Sequence, residues 1–191
     1  MNPRIAKFGL KAAGGWRYVG EVPTVRKGVC LALPHTDNMD GVLLVLLSGS
    51  IGMPISWMVK DTWGKGITGP LIRGIGGIPI DRSKANGMVE QMIDAFAKAD
   101  DLFLVIPPEG TRSRTEYWKS GFYRIALGAN VPVIPGRLDY VTKTGGFGPP
   151  IDMTGDPRVD MDRIRAYYGD VGKVAKYPEK FGPIRLREEA Q

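Results

Sequence analysis

The 191-residue chain contains one histidine, His35, and an aspartate, Asp40, stands five residues after it. A carboxylate held against one imidazole nitrogen fixes the ring's tautomer and orientation and leaves the other nitrogen free to take a proton at neutral pH, which is the chemistry of a general base. The spacing alone does not bring the two groups together. In a continuous helix they would lie about 140° apart around the axis, and in a continuous strand they would point to opposite faces about 17 Å apart. A bend is required, and the sequence supplies one. Val29 to Leu33 is an apolar run expected to form a buried strand, and Pro34 closes it. Thr36, Asp37 and Asn38 are helix-capping types ahead of the apolar run Val42 to Leu47. His35 is therefore expected in a strand-to-helix connection, with Asp40 in the first helical turn. The same residues also admit a purely structural reading, in which Asp40 is the acid of a cap begun by Asp37 and His35 is a surface residue.

Further charged turns stand at the ends of other apolar segments. Ile78 to Ile80 is followed by Asp81, Arg82 and Ser83. Leu102 to Ile106 ends at Pro107 and Pro108 and is followed by Glu109, Gly110, Thr111 and Arg112. Val131 to Ile134 is closed by Pro135 and Gly136, and Ile55 to Val59 forms another strand. Helical segments separate them: Met88 to Ala99, with Met92, Ala95 and Phe96 on one face, Phe122 to Leu127 with Gly128 as its C-terminal cap, and Val159 to Tyr168. Strands alternating with helices predict an α/β domain with a central, largely parallel sheet flanked by helices. Ligands in such sheets sit at the carboxyl ends of the strands. His35 with Asp40, Arg82, and Glu109 through Arg112 are thus expected on one rim, a set that suits proton abstraction beside a bound phosphate. Taken singly, each arginine could be a surface ion pair of little worth.

Composition narrows the class. Hydrophobic residues make 43% and charged residues 24%, proportions of an ordinary globular domain, and the length suits one domain with a sizeable core. Cys30 is the only cysteine, so there is no internal disulfide and no thiolate cluster for a structural metal. A reducing compartment is expected, and Met1 to Gly15, with Arg4, Lys7 and Lys11 and no continuous apolar core, does not read as a signal peptide, so a cytoplasmic setting is expected. A net charge of +6 and a pI near 9.5 favour anionic partners. Nucleic-acid binding would rest on charge alone. Gly41 to Val59 carries no charge, but Ser48, Gly49, Ser50, Gly52 and Pro54 interrupt it, which a lipid-spanning helix would not tolerate. In the opening segment, residues 1–16, Ile5, Phe8, Ala12 and Trp16 gather on one side, Arg4, Lys7 and Lys11 on another, and Leu10 falls off the apolar face. It reads equally as a helix lying in a membrane interface or as one packed on the body of the protein. Gly64, Gly66 and Gly69 match G-x-G-x-x-G, yet Pro70 follows and no acidic residue ends a strand about twenty positions on, as dinucleotide binding needs.

The segments P-H-T-D-N-M-D, G-I-P-I-D-R-S, P-P-E-G-T-R-S and V-P-V-I-P, in this order and spacing, resemble the four successive motifs of the glycerolipid acyltransferases, the family of lysophosphatidic acid acyltransferase. The resemblance spans residues 29–135, and within residues 145–191 the ending from G-F-G-P-P-I at Gly146 through Y-P-E-K-F-G-P-I-R-L-R to Arg187 resembles that of small bacterial members. It implies that His35 is the general base and that Asp40 orients it. An acceptor hydroxyl would attack the thioester of acyl-CoA or acyl-carrier protein directly, without an acyl-enzyme and without a metal or cofactor. Arg82 would hold the acceptor's phosphate, Glu109, Gly110, Thr111 and Arg112 would shape the acceptor site, and Val131, Pro132, Val133, Ile134 and Pro135 would lie on the acyl-donor side. The implied partners are the acyl donor, a lysophospholipid such as 1-acyl-glycerol-3-phosphate, and a membrane surface held peripherally, with no nucleic acid.

Two departures bear on the acceptor. Pro34 stands where many members have Asn, and Asp37 where Ser is common, so an anion lies near the base; it could repel a phosphate or bond a polyol. A neutral lipid or polyol acceptor, and a non-catalytic lipid or acyl-carrier binding module on the same fold, are the competing readings. Hydrolysis by serine lacks its elbow, since Ser48-Gly49-Ser50-Ile51-Gly52 misses G-x-S-x-G at the first position. Cys30 lies inside a strand, poorly placed as a nucleophile.

Overall fold

The computed structural model describes residues 1–64, 66, 68–81 and 87–190. Its centre is β2 (Lys27–Leu33), which pairs in parallel with β5 (Leu102–Ile106) on one side and β6 (Val133–Asp139) on the other. Beyond β6 lie β7 (Thr144–Phe147), antiparallel to it, and the short β1 (Arg17–Tyr18), giving the order β1-β7-β6-β2-β5. The parallel pair β3 (Trp57–Lys60) and β4 (Gly77–Ile80), with α3 (Thr68–Gly74) between them in the chain, is tied to β5 by bonds from Ser56 N to Phe103 O and from Val105 N to Ser56 O, both 2.8 Å.

A strand buried on both faces needs apolar residues at every position, and β2 shows why. Val29, Leu31 and Leu33 face one core, shared with α4 (Gly87–Lys98), α5 (Gly121–Ala129) and α6 (Pro157–Tyr168). Cys30 and Ala32 face the other, against Leu44 of α2 (Asn38–Ser50). The sheet is the mostly parallel, helix-flanked one expected from the alternation of elements.

Two local readings change. Helix α5 continues past Gly128 to a cap at Asn130, the residue in the left-handed region at φ 51°. Gly128 instead lets α4 come close, because a Cβ there would fall 2.4 Å from Ile93 Cδ1. Strand β6 does not stop at Pro135 but runs four residues beyond it. A strand residue's N–H and C=O point to the same neighbour, and the Pro135 carbonyl faces Gly148 N at 2.8 Å, where β7 has already ended. The missing donor therefore breaks no ladder bond.

The opening helix α1 (Pro3–Ala12) packs on α2 through Ala6 and Leu10, both buried, with Gly9 close against Leu46. Leu10 is thus on the packed face, while Ile5 and Phe8 are 64% and 73% exposed. Trp16 lies beyond the helix and is buried. Among the described residues no helix is long and apolar enough to cross a membrane.

Candidate active site

Because β6, β2 and β5 are neighbours running in one direction, their C-terminal ends share a rim. The end of β2 carries His35, the end of β5 carries Glu109, and the end of β6 carries Tyr140.

The chain leaves β2 through Pro34 and enters α2 at Asp37, whose Oδ1 accepts from Met39 N at 2.9 Å. Asp40 reciprocates: its Oδ2 accepts from Asp37 N at 2.8 Å and Thr36 N at 2.6 Å. This is a capping box, so the structural reading of Asp40 holds. The same Oδ2 also faces His35 Nδ1 at 3.8 Å, longer than a hydrogen bond but within reach of charge attraction. The cap is thus the device that folds the chain back and sets the carboxylate beneath the imidazole. Tyr140 Oη donates to the other oxygen, Oδ1, at 2.5 Å. Asp40 is only 3% exposed, and these three donors replace the water it has lost.

His35 keeps 22% of its side chain exposed. Burial lowers its pKa below the ordinary value; Asp40 pulls upward, the Arg112 charge adds to the lowering and Asp37 opposes it. The imidazole is therefore neutral at pH 7, the form that can accept a proton. Glu109 is buried, and its Oε2 accepts from His35 N at 3.2 Å. Burial raises its carboxyl to about 8; the His35 bond works against this, and the Asp40 charge pushes in the same direction as burial. Glu109 thus holds its proton at neutral pH, chiefly because burial penalises its charged form.

Gly110 follows in the left-handed region at φ 66°, turned toward the Lys119 side chain, and Thr111 and Arg112 are exposed at the rim. Arg82 lies outside the described residues. Val131, Val133, Ile134 and Pro135 are buried in the sheet, with Val133 and Ile134 entirely inaccessible and Pro132 half-buried; this stretch is core rather than a surface open to a donor. What β6 contributes to the rim is Tyr140, which the sequence reading missed because it ended the strand at Pro135. Asp37 is also more than a bare anion, since Lys176 Nζ pairs with its Oδ1 at 3.1 Å from the C-terminal segment.

Beside the rim lies an apolar cavity of about 340 Å³. Met58 of β3, Met88 and Val89 of α4, Ile106 of β5, and Phe122 and Ile125 of α5 form its wall, and Pro108 and Gly110, the neighbours of Glu109, complete it. Of the glycines matching G-x-G-x-x-G, Gly64 packs on Pro79 and Gly69 on the Gly64 carbonyl, so two of the three serve close packing.

The model of the acyltransferase family matches residues 17–138, most of the chain. The chain belongs to that family. Its fold is similar to the crystal structure of the 1-acyl-sn-glycerophosphate (LPA) acyltransferase PlsC from Thermotoga maritima, with a TM-score of 0.59 and 19% identity over 91% of this chain and 79% of that one. No curated protein matches it. The family match in this acyltransferase takes in His35, Asp40 and Glu109 but stops before Tyr140 and Lys176, the groups that bear on Asp40 and Asp37 from later in the chain.

Proposed function

We propose that this acyltransferase moves a fatty acyl group from the thioester of acyl-CoA or acyl-carrier protein to the hydroxyl of a lysophospholipid such as 1-acyl-glycerol-3-phosphate. The observation that carries the reading is a neutral, partly exposed imidazole backed by a buried carboxylate, at the edge of an apolar cavity. His35 takes the proton of the acceptor hydroxyl as its oxygen attacks the thioester carbon. The proton then goes to the departing thiolate, and Asp40 stabilises the imidazolium between the two events. The acyl chain occupies the apolar cavity. Arg112, whose charge reaches His35, and Arg82 hold the acceptor's phosphate in the two-point geometry of a guanidinium. Asp37 does not oppose this, because Lys176 already balances its charge.

The protein works on the inner face of a membrane, held peripherally. Ile5 and Phe8 project from α1, and Arg4, Lys7 and Lys11 on the same helix add attraction to an anionic surface of about 1 kcal/mol each. Replacing Ile5 and Phe8 with Ser should weaken binding to anionic vesicles, and unchanged binding would put the attachment elsewhere.

The test of the activity is mass spectrometry of products from purified protein, acyl-CoA or acyl-carrier protein, and lysophosphatidate or monoacylglycerol. Acylated lysophosphatidate is expected, with Arg82→Ala losing far more on lysophosphatidate than on monoacylglycerol. A preference for monoacylglycerol, with Arg82→Ala lowering both rates equally, would overturn the phosphate assignment. No product from any pair would overturn the reaction.

A further inference from the structure

The geometry points to Tyr140 as a positioning residue that fixes the Asp40 carboxylate beneath His35. This rests on the reading of His35 as the base. Backbone N–H groups hold only Asp40 Oδ2, the oxygen that faces the imidazole; Tyr140 Oη holds Oδ1 at 2.5 Å and so sets the rotation of the carboxylate about its bond to the chain. The hydroxyl is itself held in place. The ring meets Trp16 edge-on with centroids 4.9 Å apart, and Tyr140 N donates to Val174 O at 2.9 Å. Tyr140 is thus held by two segments distant in sequence while its hydroxyl bonds the carboxylate beneath His35.

Sharing Asp40 with a hydroxyl donor also drains charge from its contact with the imidazole. Among the described residues, the charged or titratable groups acting on His35 are Asp40 and Asp37 on α2, and Arg112 and Glu109 on the turn after β5, while Lys176 and Lys180 bear on it through Asp37. Removing only the Tyr140 hydroxyl leaves all of these in place and frees Asp40 to interact more strongly with the imidazolium. The His35 pKa should then rise.

Because the chain has one histidine, the experiment can watch His35 alone. Histidine-labelled wild type and Tyr140→Phe are titrated by NMR and assayed for kcat and KM, with melting curves to establish that both are folded. Phenylalanine keeps the ring edge on Trp16. In Tyr140→Phe the His35 titration is expected to move upward by about half a unit or more, and kcat to fall about tenfold with a much smaller change in KM, the scale of one hydrogen bond to a charged group. An unmoved histidine titration would overturn the assignment, whatever happens to the rate. A moved titration with a wild-type rate in His35→Ala would instead overturn the base reading on which the kinetic half depends.

Discussion

Two aspartates are buried among the described residues, and they are built alike. Asp160 sits in the first turn of α6, behind the capping residue Asp156, and accepts from Thr154 N, Thr154 Oγ1, Gly155 N and, at 2.8 Å, Tyr123 Oη. Asp40 sits in the first turn of α2, behind the capping residue Asp37, and accepts from Thr36 N, Asp37 N and Tyr140 Oη. In each case the helix start turns a carboxylate back onto its own approach loop, and a tyrosine from a distant element closes the arrangement. The difference is what else is present. Asp160 has no histidine beside it and is entirely enclosed; Asp40 has His35 at 3.8 Å and, through it, a way to solvent. One fold uses the same cap as a fastening and as part of a site, and the histidine with its opening makes the distinction.

The comparison predicts opposite consequences for matched substitutions. His35→Ala should lower turnover by about 10² to 10⁴, the usual cost of losing a general base, because no second histidine can substitute; its melting temperature should stay close to wild type, and near-normal turnover would sink the mechanism. Asp40→Asn should lower kcat by about 10² or more by disturbing the imidazole's tautomer. A variant that loses stability but keeps its rate per folded molecule would reduce Asp40 to a second Asp160.

Asp160→Asn should do just that. Burial pushes the Asp160 carboxyl up, but the bonds from Thr154, Tyr123 and Gly155 outweigh it and hold the pKa below the ordinary range. A lowered carboxylate contributes stability above its unfolded value near 3.8, and that contribution is lost as pH falls below it. The substitution should therefore cost about 2 kcal/mol near pH 7, read from denaturant midpoints, and the loss should shrink toward pH 3. Its rate per folded molecule should not change.

Glu109 has the reverse sign. With its pKa raised to about 8, the folded state keeps a proton that the unfolded chain has released, so stability declines as pH rises from about 4.5 to 8. Glu109→Gln should remove that decline, and the gain over wild type should grow with pH to an upper limit of about 5 kcal/mol, at 1.36 kcal/mol per unit. In melting curves at pH 5.5 and 9, a wild-type slope that persists in the glutamine variant would place the proton elsewhere. The smallest effect should come from Lys176→Ala. Its pair with Asp37 is partly exposed and screened by solvent, so the denaturant midpoint should barely move.

What the sequence made legible was local. The bend after Val29 to Leu33 follows from Pro34 and the capping residues, and Leu102 to Ile106 forms a strand with those bounds. The sheet's parallel character followed from the alternation of elements. Tyr140 escaped because Pro135 resembles a strand terminus, and only the absence of a β7 residue opposite its nitrogen makes a proline tolerable there. Lys176 escaped because its partner, Asp37, is 139 positions away, a distance on which no periodicity bears. Leu10 falls opposite Ile5, Phe8 and Ala12 on the helical wheel, and the face that packs runs through Ala6, Gly9 and Leu10, whose small residues give little apolar signal. The two readings of Asp40, base partner and helix cap, competed in the sequence because a linear pattern cannot show that one oxygen reaches both groups.

The order in which the rim is assembled sets when it is complete. As the chain is synthesised, His35, Asp40 and Glu109 emerge well before the Tyr140 hydroxyl that grips one oxygen of Asp40 and the Lys176 ammonium that balances Asp37. A nascent chain ending at residue 138 carries the proton-handling groups without their later supports. The full set of contacts around Asp40 and Asp37 thus waits on residues that lie later in the chain than the groups they hold.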